Sequence, residues 1–279
     1  ARDLRFKGGV MSGIVDKGSF REKSGFNVSN LSGHAIVGNG KTVIKHLKIK
    51  DEWSDIDMPL YMMSYPDVKA FSEYLTDVKM DAEINESLLD FRTIAYFAKA
   101  LKGNDLGLAI SGNASGYVNN FKFNNIKAIS NKGGFSCLAD GSIKGLPRIE
   151  STIFDGTIRN VNITTTGLSK FVSVWMKDGK LDLSKFAKGY IFTVTGKVHG
   201  PLNDMKIKAN LSSLIGKAAA NITMSDVLSN KPLTLEGMIS TQNLNIGRVI
   251  NNKLLGPATL RTGAKASFGE GTPEVRIDS

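Results

Sequence analysis

Between residues 190 and 211 the chain reads YIFTVTGKVHGPLNDMKIKANL, and oily and polar side chains alternate along it with a period of two. Tyr190, Phe192, Val194 and Val198, then Met205, Ile207, Ala209 and Leu211, fall on one side. Thr193, Thr195, Lys197, Lys206, Lys208 and Asn210 fall on the other. This period predicts two half-buried strands, with the turn expected at Gly200-Pro201.

The same pattern fills most of the chain. It predicts strands over 41–50, 121–129, 135–143, 153–165, 171–176, 217–224, 233–240 and 258–268. Asn131-Lys-Gly-Gly134, Asp178-Gly179 and the Gly38-Asn-Gly40 segment read as turns between strands. Helical spacing is rare. Val68, Phe71, Leu75 and Val78 follow a cap at Asp67, and Ile94, Phe97, Ala98 and Leu101 form a second stripe ending at Lys102-Gly103. A single turn is expected around Asn245 to Asn251, with Ile246, Val249 and Ile250 grouped on one side.

A glycine signature recurs in Gly112-Asn-Ala114-Ser-Gly116, Gly141-Ser-Ile143-Lys-Gly145 and Gly196-Lys-Val198-His-Gly200, with a looser copy at Gly8 to Gly13. Glycine at strand ends permits bends and bulges, so repeated copies suggest a sheet curved in a regular manner. Their spacing is irregular, which excludes a short-period solenoid with a strict repeat.

At ~8 to 12 residues per strand and turn, the non-helical residues make on the order of 20 strands. Spaced ~4.8 Å apart, that number would extend roughly 90 Å. An open sheet of this size curls, splits or closes. The expectation is a mainly β fold, a long curved antiparallel sheet forming a hydrophobic groove (a β-taco, or repeating β-groove) with a few short helices. The strongest alternations nominate the groove-lining positions, candidates for contact with lipid if the face is open: Leu47, Ile49, Phe121, Phe123, Phe192, Val194, Val198, Ile207, Leu211, Leu233, Leu235 and Ile239. An apolar face of this extent must be filled by lipid chains or by an opposing sheet. Alternation alone leaves both open.

Composition narrows the class. The 279 residues are 41% hydrophobic and 22% charged, which places the chain among globular proteins. No run approaches the ~20 apolar residues of a spanning helix. The first residues, Ala1 to Phe6, read directly as a strand, and the expectation is an interior piece of a longer chain. The formal charge of +10 comes partly from lysines alternating along strands, as at Lys45, Lys48 and Lys50. Such lysines form a solvated face and guard sheet edges. No aromatic RNA-binding motif or helix-turn-helix accompanies them, so no nucleic-acid partner is expected, and an anionic membrane surface suits the charge better.

Candidate chemistry is sparse. His34, His46 and His199 are isolated, Cys137 is single and reads as a buried inert thiol, and Asp55-Ile-Asp57 lacks the rest of a calcium loop. No metal, no cofactor and no enzymatic activity are expected. Two tryptophans, Trp53 and Trp175, are too few for the aromatic girdles of a transmembrane barrel, and they speak against sugar stacking.

Several segments resemble the TamB group of AsmA-like envelope proteins, in a branch from Bacteroidetes-type envelopes. Arg21-Glu-Lys-Ser-Gly-Phe26-Asn-Val-Ser-Asn-Leu31 is similar to its E-x-S-G-F segment. Tyr65-Pro-Asp67 with Ala70-Phe71, and Leu89-Asp-Phe91 with Ala95-Tyr-Phe97-Ala98, resemble its two helical segments. Ser111 to Phe121 and Gly141 to Pro147 resemble its central strands, and Lys231-Pro-Leu233 to Val249 the strand-to-short-helix phrase of AsmA-like repeats. The resemblance implies two groove segments, 1–109 with two short helices and 110–279 continuing the repeats. It also implies a periplasmic bridge between inner and outer membranes, whose groove holds phospholipid acyl chains and supports lipid transport and outer-membrane integrity. The longer parent chain would be anchored in the inner membrane and would dock an outer-membrane barrel partner resembling TamA or BamA. Two other readings stay open: a scaffold that pairs a sheet edge with nascent outer-membrane strands, and a packed β-sandwich or solenoid.

Overall fold

A computed structural model of the chain describes residues 1–22, 25–97, 101–172, 189–229, 231–268 and 274–278. The fold is mainly β: one antiparallel sheet of sixteen strands in chain order, not closed, with a few short helices. Strand-to-strand contacts divide the chain into two compact units, Ala1–Asn131 with Ser142–Arg148, and Lys132–Gly141 with Ile149–Ser279.

The first unit holds β1 (Arg2–Lys7), β2 (Val10–Arg21), β3 (Asn27–Gly38), β4 (Lys41–Lys50), β5 (Asp55–Ser64), β6 (Lys79–Asp90), β7 (Gly107–Tyr117) and β8 (Asn120–Ser130). Residues directly opposite one another in antiparallel strands share a face. One cross-strand row runs Ala35, Ile44, Tyr61, Ala82, Ala114, Phe123 from β3 to β8. The neighbouring row runs Val37, Thr42, Met63, Met80, Gly116, Phe121. The opposite face carries cross-strand ion pairs such as Lys48 to Asp57 at 3.3 Å and Lys50 to Asp55 at 2.8 Å. Those two aspartates therefore complete strand pairing in β5. Exposed pairs of this kind contribute little to stability, and they mark the solvated side.

The second unit holds most of β9 (Phe135–Lys144), then β10 (Ile153–Thr164), β11 (Ile191–Pro201), β12 (Asp204–Ser213), β13 (Gly216–Ser225), β14 (Leu233–Asn245), β15 (Pro257–Phe268) and β16 (Glu274–Ile277). Its central row is Val198, Ile207, Ile222, Gly237, Ala264. On the other face lies the row Thr157, Lys197, Lys208, Asn221, Met238.

Bulges keep the oil on one side. In β10 the register shifts between Ile158 and Val161, which oppose Gly196 and Val194. Residues three apart thus share a face, because the extra residue resets the parity of the bulged strand. In β4 the same reset occurs at His46, whose φ is +53°, between Leu47 and Ile44.

The helices are shorter than the stripes predicted. After Asp67, whose side chain accepts from the Lys69 amide, Val68–Glu73 form a 3-10 turn and α1 covers only Tyr74–Asp77. The buried residues there are Ala70 and Val78, while Val68 is 77% exposed and Phe71 and Leu75 are exposed too. The tighter 3-10 winding rotates the predicted stripe off the packing face. The second stripe also fails as a continuous helix. α2 (Phe91–Ile94) is a single turn, Phe97 is exposed, Leu101 is buried, and Ala98 lies outside the described residues. Asp90, 1% exposed, caps α2 and binds the Arg92 guanidinium through two bonds of 2.8 Å. Residues 171–172 end helix α3 (Thr165–Val172) where a strand was expected, and 173–188, including Asp178-Gly179, lie outside the described residues. The predicted single turn is α4 (Ile246–Val249), capped by Asn245.

Other sequence-based expectations shift in position. The β11–β12 turn is Leu202-Asn203, with Gly200 and Pro201 inside β11. Strands β2, β3, β5 and β6 lack clean alternation and are not predicted by it, nor is β16, which is only four residues long. Of the repeated glycines, Gly112, Gly116, Gly141, Gly196 and Gly200 lie within strands, while Gly145 follows β9 and Gly8 lies in the β1–β2 turn. Gly116 has φ +124°, and a Cβ there would sit 2.5 Å from the Asn120 carbonyl oxygen. At Gly237, with φ +148°, an added Cβ would meet the Asn221 carbonyl oxygen in the same way. The neighbouring backbone therefore occupies the volume that any other side chain needs.

Replacement Gly116→Ala is expected to destabilise the protein by roughly 2 kcal/mol. Urea unfolding measures this, with Gly256→Ala, where nothing lies within 4 Å, as the unaffected control.

Candidate functional site

The candidate site is the apolar face of the sheet, taken separately in each unit. In the second unit the register gathers eight of the predicted positions onto it. Val194 opposes Leu211, Val198 opposes Ile207, and Phe192 opposes Ile163 of β10. Leu235 opposes Met224, and Ile239 opposes Ala220. Leu233 also belongs to this face, opposite Phe268, but it is buried in a small cluster with Val227, Met224 and Leu228 and has almost no surface to offer. The other seven are half-buried.

In the first unit Phe121 and Phe123 end the two rows described above, opposite Gly116 and Ala114. Ile49 opposes Leu31 and Ile56 on the same face. Leu47 is buried, opposite Met58, and acts as core. Small residues in the rows leave room between large ones. Ala82, Ala114 and Gly116 form the floor of a cavity of about 220 Å³, walled by Tyr61, Met80, Val118 and Phe121. Enclosed ligand pockets are commonly ~300–1,000 Å³, so this space suits a stretch of hydrocarbon chain better than a whole small molecule.

One end of the face in this unit is closed by a polar-tipped aromatic pair. The Tyr74 hydroxyl of α1 lies 2.8 Å from that of Tyr61, and 3.2 Å from Met80 Sδ. α1 is held there by the Asn119 amide, which donates to the Leu75 carbonyl at 3.1 Å. Burial, then the hydrogen bond to Tyr74, pushes the Tyr61 hydroxyl well above the ordinary tyrosine range. Burial likewise raises the Cys137 thiol, which is half-buried in β9.

Two larger depressions, of about 460 and 630 Å³, open on the opposite, polar face of the second unit. Their linings include Thr195, Asn210 and Lys217 in one, and Thr157, Lys197, Lys208 and Arg261 in the other, around the small Ala219. The apolar face is a broad surface, shaped by rows.

His199 sits on the polar side, its Nδ1 3.3 Å from Asp155 Oδ2, and both side chains are exposed. Among the described residues no group of three or more His, Cys, Asp or Glu side chains could hold a metal ion.

Sequence reasoning missed Tyr61, Met80, Ala82 and Ala114. The i, i+2 pairs Tyr61/Met63 and Met80/Ala82 carried a signal, but Met62 and Asp81 between them gave little contrast over so short a span. Comparison with known proteins finds no matching family model, no matching characterised protein and no matching solved structure.

Because the folded state holds Tyr61 neutral, stability is fully present below about pH 10, where free tyrosine titrates, and is lost as pH rises further. The loss attributable to this group is about 1.4 kcal/mol per pH unit. Tyr61→Phe is expected to lower stability at neutral pH by roughly 1 kcal/mol through the lost hydrogen bond, and to flatten the decline above pH ~10. Unfolding midpoints at pH 8 and above pH ~10 check both effects.

Proposed function

We propose that the apolar face of each unit holds lipid acyl chains, and that the chain belongs to a bridge-like lipid carrier of the TamB kind. The observation that carries this reading is the cross-strand run of apolar pairs in each unit, with no second sheet among the described residues to cover it. Half-buried Val, Ile, Leu and Phe side chains that remain in contact with water are worth roughly 25 cal/mol for every further Å² covered. Flexible hydrocarbon can cover a broad row of alternating large and small residues without demanding a matched shape.

On this reading acyl chains lie against Val194, Val198, Ile207, Leu211, Leu235 and Ile239 in one unit, and against Phe121 and Phe123 in the other. Headgroups stay in water. A broad row of half-buried side chains favours weak and uniform binding, which lets a lipid slide, since a single enclosed site would trap it. On the same reading the protein works in the periplasm, supports phospholipid movement between membranes and engages an outer-membrane barrel.

The test is native mass spectrometry of the purified chain, with extraction and identification of what it carries. Several phospholipids per chain are expected, and fewer on Ile207→Asp or Phe121→Asp, each of which faces no buried partner that forbids a carboxylate. Lipid-free protein, or unchanged occupancy in both folded variants, would overturn the proposal. In that case binding of unfolded barrel segments becomes the measurement that favours the strand-pairing scaffold.

A further inference from the structure

The second unit ends, at the side where β12 turns into β13 and β14 runs into α4, in a tip that combines bare leucines with cations that meet no carboxylate among the described residues. Leu214 is 97% exposed and Leu254 is 93% exposed. Ile250 and Leu255 beside them are exposed as well. Leu214, Lys217, Arg248 and Pro257 border one depression, which places the two loops together.

Backbone bonds hold these leucines out. The Asn245 amide donates to the Ile215 carbonyl at 2.7 Å, fixing the turn that carries Leu214 against the start of α4. Asn252 donates to Gly247 at 2.8 Å, Ile246 donates to Gly256 at 3.2 Å, and the Leu254 amide donates to Asn252 Oδ1 at 2.9 Å. Ile215, next to Leu214, turns inward and is buried. The chain thus buries one of two adjacent apolar residues and presents the other to water.

The two segments that meet at this tip carry charge of one sign. No acidic residue occurs from Met205 to Ser225, or from Gly237 to Phe268. Lys217, Arg248 and Lys253 stand there and make no ion pair among the described residues. Elsewhere in the same unit Lys265 pairs with Glu236 at 2.7 Å, whereas Lys197, Lys206 and Lys208 of the polar face stand without bare leucines beside them, so it is the pairing of cations with Leu214 and Leu254 that sets the tip apart.

From this we infer that the tip docks on an anionic phospholipid bilayer, with Leu214 and Leu254 entering the acyl boundary and Lys217, Arg248 and Lys253 meeting the headgroup charge. Apolar side chains that insert and basic ones that stay at headgroup level are the two forces that hold a protein on a bilayer surface. A protein partner would be expected to bring carboxylates in matched positions, whereas a bilayer needs only diffuse negative charge and a soft apolar layer. The inference stands apart from the acyl-chain reading, since these residues lie at the strand ends rather than in the rows.

The experiment is flotation of the whole chain with vesicles of phosphatidylcholine, and with vesicles that also contain phosphatidylglycerol. Binding is expected only to the second, weakening as salt is raised. The triple variant Lys217→Gln, Arg248→Gln, Lys253→Gln is expected to bind roughly a hundredfold more weakly, at about one bilayer interaction lost per cation. Leu214→Asp with Leu254→Asp should abolish flotation. A control with the same change of charge on the polar face, Lys197→Gln, Lys206→Gln, Lys208→Gln, should bind as the parent does. Equal binding to both vesicle types, equal loss in the control, or a triple variant that floats like the parent would overturn the inference. So would a concentration-dependent dimer that the leucine variant dissolves, because a second copy would then own the surface. The triple variant leaves apolar packing untouched and decides the matter if the leucine variant misfolds. Native mass spectrometry should find its carried lipid unchanged, which separates a failure here from a failure of the acyl-chain reading.

Discussion

Everything in each unit rests on cross-strand register. An antiparallel pair places directly opposite residues on one face, and a slip by one residue would carry every Val, Ile and Leu of a strand into water. Here the pairing Val198 to Ile207 to Ile222, and Ala35 to Ile44 to Tyr61, holds that register over consecutive strands. Each such pair contributes roughly 0.2 to 1 kcal/mol, and the sum over a row is what makes the alternative register costly. The bulges at Ile158/Val161 and at His46 serve the same end, since they repair parity where the sequence departs from strict alternation.

Strand register also explains the glycines. With one side chain absent from a row, the neighbouring backbone closes in, as the Asn120 carbonyl does over Gly116. Small residues beside large ones then give the face relief. The cavity bounded by Tyr61, Met80 and Phe121 exists because Ala82, Ala114 and Gly116 lie between them in the pairing. A ligand that adapts its own shape is the natural match to such a surface, and a hydrocarbon chain adapts through rotation about single bonds.

Charge and apolarity are segregated at two scales. Within strands they alternate, so that Lys206 and Lys208 stand behind Ile207. Across the second unit, carboxylates are absent from the two long segments that meet at the tip around Leu214 and Leu254. The first segregation makes a sheet with an oily side. The second gives that sheet an end with a distinct chemical preference.

Strands with a strong period of two were legible in the sequence almost to the residue: 41–50 is β4, and 217–224 and 258–268 lie inside β13 and β15. There local contrast between oil and charge is enough, because it is the pleat itself that sorts the side chains. The face shared by Val194, Leu211, Leu235 and Ile239 was legible for the same reason. Strands β5 and β6 were not, since Met62 and Leu60 lie opposite Asp81 and Glu83 and blur the alternation that their neighbours restore. The stripe Val68, Phe71, Leu75 misled because spacing cannot say that the segment winds as a 3-10 turn and buries Ala70 in place of its larger neighbours. The sequence by itself determined the period and the segregation of charge, which are local properties of consecutive residues. Only the tertiary structure decided which rows align, where Tyr74 closes on Tyr61, and that Leu47 and Leu233 are core, because those depend on partners distant in the chain.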